Sequence, residues 1–350
     1  MTPTTTTRYR LLLSVVLLGL ALLSQVGAQS CSAANKCGAA APCCSEFAYC
    51  GTTSAHCLGG CNPDSSFSPS SCRPMPRCEA QYIDFTASKR PFVALGSFNG
   101  DPNQAQMTLD SGTAVAGKTG VSLRLTKDGP AAGGTRLSTT RYWYYGKATV
   151  VMRHQAAAGV VATFISMSNS KDEVDWEFTT SSGQDAETNY FWHGFGDYTH
   201  GRTIAPTSLP NAATFDRSNF HSYSLDWSPN RLQWSIDGVV VRTVYRKHTL
   251  DAATGVYRFP STPARLQVSI WGAGTDAYPA GTRDWAGGYI DWSQANANTK
   301  AFSNIVKSIE ITCNEPQDVL GKPAYIYSAK QMDAATGQRK ILGTVKSTLL

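Results

Sequence analysis

Residues 171–178 read KDEVDWEF, and Glu173, Asp175 and Glu177 alternate there with Val174, Trp176 and Phe178. In an extended strand successive side chains point to opposite faces, so this spacing puts three carboxylates on one face and three apolar groups on the other. Like charges so close repel, and sharing protons unequally along the row relieves the repulsion. Glycosidic cleavage needs that inequality: one carboxylate ionised, another protonated. The Cα atoms of residues i and i+4 lie roughly 13 Å apart along a strand, so spacing alone does not fix the carboxyl separation that distinguishes retaining from inverting chemistry. Two blander readings compete: a solvated or edge-protecting face, and a calcium site, although calcium prefers loops that also supply backbone carbonyls. The surroundings favour a carbohydrate cleft. NYFWHGFGDY follows at 189–198, and Trp227, Trp234, Trp271, Trp285 and Trp292 lie beyond it, which suits a ligand held by aromatic platforms and polar edges.

The elements that must carry these acids are strands. From Tyr82 to Thr312 the chain shows short alternating runs broken by Gly, Pro, Asn and Asp: VSLRLT (121–126), YGKATVVMRH (145–154), GVVATFISM (159–167), HSYSLDWS (221–228), RLQWSID (231–237), VVVRTVYR (239–246), ARLQVSIW (264–271) and AFSNIVKSIEIT (301–312). Asp237-Gly238 between two such runs is a hairpin signal. Helical periodicity is nowhere sustained. The expected fold is all-β, a two-sheet sandwich of jelly-roll type over residues 78–315.

The first 28 residues have the layout of a secretory signal: Arg8 and Arg10, an apolar run from Leu11 to Leu23, and Val26-Gly27-Ala28 at a cleavage point. The run is shorter than the roughly 20 residues of a spanning helix, and no later run is long enough. The chain is therefore expected to be secreted and extracellular. A net charge of +6 without any basic cluster argues against nucleic-acid partners.

Ten cysteines in an exported chain read as disulfides. Nine lie between Cys31 and Cys78, and the tenth is Cys313. Residues 31–61, CSAANKCGAAAPCCSEFAYCGTTSAHCLGGC, hold almost no large aliphatic residue, so cross-links must hold that module together. Zinc fits less well, because paired CxxC knuckles are absent. Sequence alone leaves the connectivity open. Residues 62–77 form a short Pro/Ser-rich junction that keeps the modules close. Residues 316–350 read as a polar tail without the apolar stretch that a lipid-anchor signal needs.

The spacing CC-x5-C-x6-C-x3-C resembles the hevein-type chitin-binding module over residues 29–61. That resemblance implies sugar stacking at Ser45, Phe47, Tyr49 and His56, with Phe47 and His56 departing from the more usual Trp or Tyr. It also implies the pairs Cys31–Cys44, Cys37–Cys50 and Cys43–Cys57. The short loop then favours Cys61–Cys72 and leaves Cys78–Cys313. DEVDWEF in turn is similar to the E-x-D-x-E signature of glycoside hydrolase family sixteen, retaining enzymes on a jelly roll. FHSYSLDWSPNRLQWSIDGVVVRTV (220–244) is similar to a further family stretch, and GTRDWAGG (281–288) resembles a signature of the fungal chitin–glucan cross-linking transglycosylases. The resemblance implies Glu173 as nucleophile, Glu177 as acid/base and Asp175 as their assistant, with sugar held by Glu177, Gln267, Trp271 and Thr282. Tyr190, Trp192 and Trp285 are read as further sugar-binding aromatics. The implied reaction cleaves chitin and transfers the fragment to β-glucan or chitin, by a monomer, with no cofactor and no metal. Plain hydrolysis of chitin or β-glucan, and a non-catalytic chitin-binding lectin, are the alternatives.

Overall fold

The computed structural model describes residues 29–87, 91–128, 132–180 and 183–349. The signal segment expected over 1–28 lies outside them. Two eight-stranded sheets face one another. One runs Arg202–Ile204, Ala186–Phe191, Glu173–Phe178, Val160–Ser168, Ala264–Gly272, Thr135–Thr139, Met107–Ser111 and Phe92–Ala94 in spatial order. The other is centred on Gly146–His154, paired with His221–Ser228 on one side and the long Ala301–Cys313 strand on the other. Almost every pairing is antiparallel, and this sandwich is the expected jelly roll. Strands lie within a residue or two of the alternating runs. Asp237 and Gly238 adopt φ values of 47° and 81°, the left-handed pair that a tight hairpin requires.

Apolar residues at every second position fill the space between the sheets. Val174, Trp176 and Phe178 of the acidic strand are buried there with Phe164, Tyr223, Trp227, Trp234 and Leu266. Buried indoles need a partner for their N–H. Trp234 donates to the Asp175 carbonyl at 2.9 Å and Trp176 to that of Ser224 at 3.2 Å, so the core aromatics also tie the acidic strand to the opposite sheet. Trp227 and Trp234 are therefore core residues rather than members of a sugar cleft, and Trp292 packs on Phe302. Asp172 enters the core end of the same strand. Its carboxylate accepts from the backbone N–H groups of His193, Ser261 and Thr262, the Thr262 hydroxyl and the Gln338 amide, which fixes where the strand begins.

Five disulfides join Cys31–Cys44, Cys37–Cys50, Cys43–Cys57, Cys61–Cys72 and Cys78–Cys313. The first three knit the small module around cystines in place of a hydrophobic core, and the last clasps the two ends of the sandwich. The module sits tightly against the sandwich. Gly60 N–H donates to the Asn169 side chain at 3.0 Å and a Cβ on Gly59 would lie 1.7 Å from Arg265, while in the junction Asp64 meets His193 at 3.2 Å and, on the C-terminal strand pair, Arg339 at 2.6 Å.

The segment expected as a polar tail is not one. Ala324–Met332 and Arg339–Thr344 pair with each other, and the former also pairs with Met75–Pro76. Tyr325, Tyr327 and Ile341 bury one face of this small sheet against Met75, Tyr142 and Val319. Among the described residues the only α-helices are Ser54–Cys57 and Ala280–Trp285, and no helix is long and apolar enough to cross a membrane.

Candidate active site

The acidic strand is third from one edge of its sheet, with Val160–Ser168 on one side and Ala186–Phe191 on the other. Register then dictates the groove. Residues paired across strands share a face, so Glu177 stands in a row with Thr163 and Ser269, and Asp175 with Ile165 and Gln267. Trp271, two residues beyond Ser269, falls on that same face. Arg136 pairs with Ser269 and extends the row to the next strand. Glu173, Glu177, Thr163, Ile165, Gln267, Ser269, Trp271, Arg136 and Tyr278 together line a groove of 420 Å³. Across Glu177 the groove opens into a wider arm of 780 Å³ lined by Asn189, Phe191, Tyr198, Arg202, Thr282 and Trp285. Glu177 and Trp271 belong to both parts, which makes them the waist of one continuous cleft.

The two terminal acids are half-buried and Asp175 is buried between them. Burial is the main reason that all three bind protons more tightly than free carboxyls do. The Glu173 carboxyl is pushed up to about 7 by burial, opposed by a hydrogen bond with Asp175 and by the Lys171 charge. Glu177 is pushed higher, to about 8, by burial and by the charges of Glu173 and Glu187. Asp175 is driven well above the carboxylate range by burial and its two acidic neighbours. A protonated Asp175 donates to the Glu173 carboxylate, which favours ionisation there. The Asp175 hydrogen bond and the Lys171 charge favour ionisation at Glu173, whereas the Glu173 and Glu187 charges favour a proton on Glu177.

Two expected aromatics are elsewhere. Tyr190 pairs with Val174, so alternation turns it into the core, where it stacks on His200 at 4.5 Å and lies under Arg242. Its neighbours Asn189 and Phe191, of opposite parity, face the cleft. Trp192 donates to the Thr336 carbonyl at 2.9 Å and so abuts the C-terminal strand pair, outside the cleft. Trp271 and Trp285 do come together, with ring centroids 6.2 Å apart and planes at 27°, and Tyr278 closes on Trp271 at 5.2 Å. Thr282 lies on the short helix that carries Trp285. Asn189, Phe191, Thr163 and Ser269 were recoverable in principle from the strand parity set by Asp175. Arg136 and Tyr198 had no such signal.

In the small module Phe47 and Tyr49 are exposed, His56 is half-buried with its Nδ1 2.8 Å from the Thr53 hydroxyl, and Ser45 is buried and accepts from the Tyr49 N–H at 3.2 Å. Phe47 also lines the catalytic groove.

A jelly-roll sandwich whose groove floor carries three proton-sharing acids among aromatic rings defines a carbohydrate-active β-sandwich enzyme. The chain belongs to glycosyl hydrolases family 16, whose pattern matches residues 101–287. It is 35% identical over 303 residues to Congo red hypersensitive protein 2 of Saccharomyces cerevisiae, covering 85% of this chain and 63% of that protein. It is 34% identical over 304 residues to Crh-like protein 2 of Aspergillus fumigatus, covering 86% of this chain and 66% of that one. The chain thus spans slightly less than two thirds of these relatives. Among solved structures, a Crh5 transglycosylase in complex with NAG is 31% identical, with a TM-score of 0.58 over 73% of this chain and 90% of that one.

Proposed function

We propose that this protein is a secreted, monomeric cell-wall transglycosylase that cleaves chitin and passes the fragment to β-glucan or chitin by a retaining mechanism. One observation carries the reading: Glu173 and Glu177 line the same groove, with a hydrogen bond from Asp175 favouring ionisation of Glu173 and neighbouring negative charges favouring a proton on Glu177. The names of the relatives, a transglycosylase and a complex with NAG among them, support the same choice.

In the first step the ionised Glu173 attacks the anomeric carbon while Glu177 gives its proton to the departing glycosidic oxygen, so the C–O bond breaks as the ester forms. Asp175 steadies the Glu173 charge through its hydrogen bond. In the second step Glu177, now ionised, takes the proton of an incoming hydroxyl, which attacks the same carbon and frees Glu173. Water gives hydrolysis, and a sugar hydroxyl gives transfer. Transfer wins when an acceptor is held in near-attack geometry, and the Trp271–Trp285 stack beside Glu177 and Thr282 supplies a platform for that. Gln267 holds sugar on the other arm, and the small module binds chitin through Phe47 and Tyr49, supported by Ser45 and His56. No cofactor or metal enters these steps.

Purified protein incubated with chitin oligomers and a fluorescent laminarin-type acceptor tests this. Labelled product of high mass is expected. Short unlabelled fragments alone would make the protein a hydrolase, and binding without turnover would make it a lectin.

A further inference from the structure

The small module does more than sit beside the sandwich. Its residue 46 reaches into the groove wall. Arg136 Nη1 and Nη2 each donate to one Glu46 carboxylate oxygen at 3.0 Å, and the Gln267 amide nitrogen lies 3.4 Å from the same carboxylate. Lys171, two residues before Glu173, donates from Nζ to the Glu46 carbonyl at 2.9 Å. From behind, Asp110 receives Arg136 Nε at 3.2 Å and itself pairs with buried Arg265. A guanidinium held from both sides cannot swing. It lies 5.1 Å from the centroid of the Phe47 ring, which is pinned on one face and still 59% exposed. That ring borders the same groove as Glu173, Glu177, Gln267 and Trp271. Gln267, fixed through its amide nitrogen, keeps a buried side-chain carbonyl oxygen without a partner. Such an oxygen is costly unless a ligand donor reaches it, and sugar hydroxyls and acetamido N–H groups are such donors.

We infer that the disulfide module is a wall of the catalytic groove itself: Phe47 forms an outer stacking subsite for N-acetylglucosamine oligomers, continuous with Gln267, and Glu46 is the positioning residue that holds Arg136 and Gln267 in place for it. One sugar chain then touches both modules at once. The module selects long chitin chains at the cleavage step as well as tethering the protein to the wall. This rests on the proposed chitin donor.

The test uses the full chain with Phe47→Ala, and Phe67→Ala as a control that removes another exposed ring of the N-terminal region. KM and kcat are measured on chitin oligomers of graded length, from the shortest that is cleaved. For Phe47→Ala, KM for the long oligomers should rise by about three- to tenfold, the scale of one aromatic stacking contact. The rise should shrink as the oligomer shortens, and Phe67→Ala should match the parent at every length. Glu46→Gln, which keeps a hydrogen-bond acceptor but loses the charge, should raise KM in the same length-dependent way. If Phe47→Ala leaves the length profile unchanged, or lowers kcat/KM equally at all lengths, the shared subsite is wrong. Failure of the parent to cleave any chitin oligomer would instead strike the functional reading itself.

Discussion

Asp175 offers the sharpest perturbation. It is buried between the two glutamates, and its side chain forms a hydrogen bond with Glu173 that favours Glu173 ionisation, while its own proton is held well above the carboxylate range. Asparagine at this position keeps a donor toward Glu173; alanine removes it. A hydrogen bond to a charged group contributes about 1.5–3 kcal/mol, which corresponds to about one to two pH units in the group it stabilises. Losing the donor raises the proton affinity of Glu173, so the acid limb of kcat/KM, set by a carboxyl near about 7, moves to higher pH in Asp175→Ala. At neutral pH that leaves roughly 5- to 50-fold less ionised nucleophile. Asp175→Asn should lose far less and keep its acid limb near the parental position. Profiles of kcat/KM against pH for the three proteins read this directly. If the limb moves to lower pH in Asp175→Ala, then Asp175 acts on Glu173 chiefly as a negative charge and the hydrogen-bond reasoning is refuted.

Other outcomes follow from the same geometry. In the parent, kcat/KM should rise with pH as Glu173 ionises near about 7 and fall as Glu177 loses its proton near about 8; with an aryl oligosaccharide whose leaving group needs no acid, the alkaline limb should vanish. A double-mutant cycle on Glu46→Ala and Arg136→Ala, read by chemical unfolding, should give a coupling of about 1.5–3 kcal/mol, because the pair is bidentate and both side chains are largely shielded, with exposures of 10% and 17%; a coupling near zero would mean the module is docked by other contacts. Replacing Cys78 and Cys313 together by Ala opens a loop spanning 235 residues and should cost about 5 kcal/mol in unfolding experiments. Trp271→Ala should impair both arms of the cleft, raising KM for donor and lowering the share of transfer over hydrolysis.

Much of this molecule is written in local alternation. The period of two at 173–178 places acids and core residues on their faces, and the Asp237-Gly238 turn marks a hairpin, because both depend on neighbours in sequence. Residue type read without parity misleads: Tyr190 looked like a sugar platform, but the register that puts Asn189 beside Asp175 turns Tyr190 into the core. Trp227 and Trp234 are counted among the cleft aromatics by type alone and serve the core. What alternation cannot carry is contact between distant segments. Glu46 meets Arg136 across 90 residues, and Tyr325 finds Met75 across the whole sandwich, so neither the groove wall nor the C-terminal strand pair has a local signature. The polar stretch after Tyr327 hides the few buried positions that make that pair a sheet.

The central claim is the division of labour between Glu173 and Glu177, and covalent trapping tests it most directly. In Glu177→Ala, an aryl chitin oligosaccharide with a good leaving group can still load the nucleophile, but no base remains to activate the second attack, so the sugar–enzyme ester should accumulate. Peptide mass spectrometry should then place one oligosaccharide on Glu173. A sugar found on Asp175 instead, or release of products at the parental rate with no adduct, would contradict the mechanism.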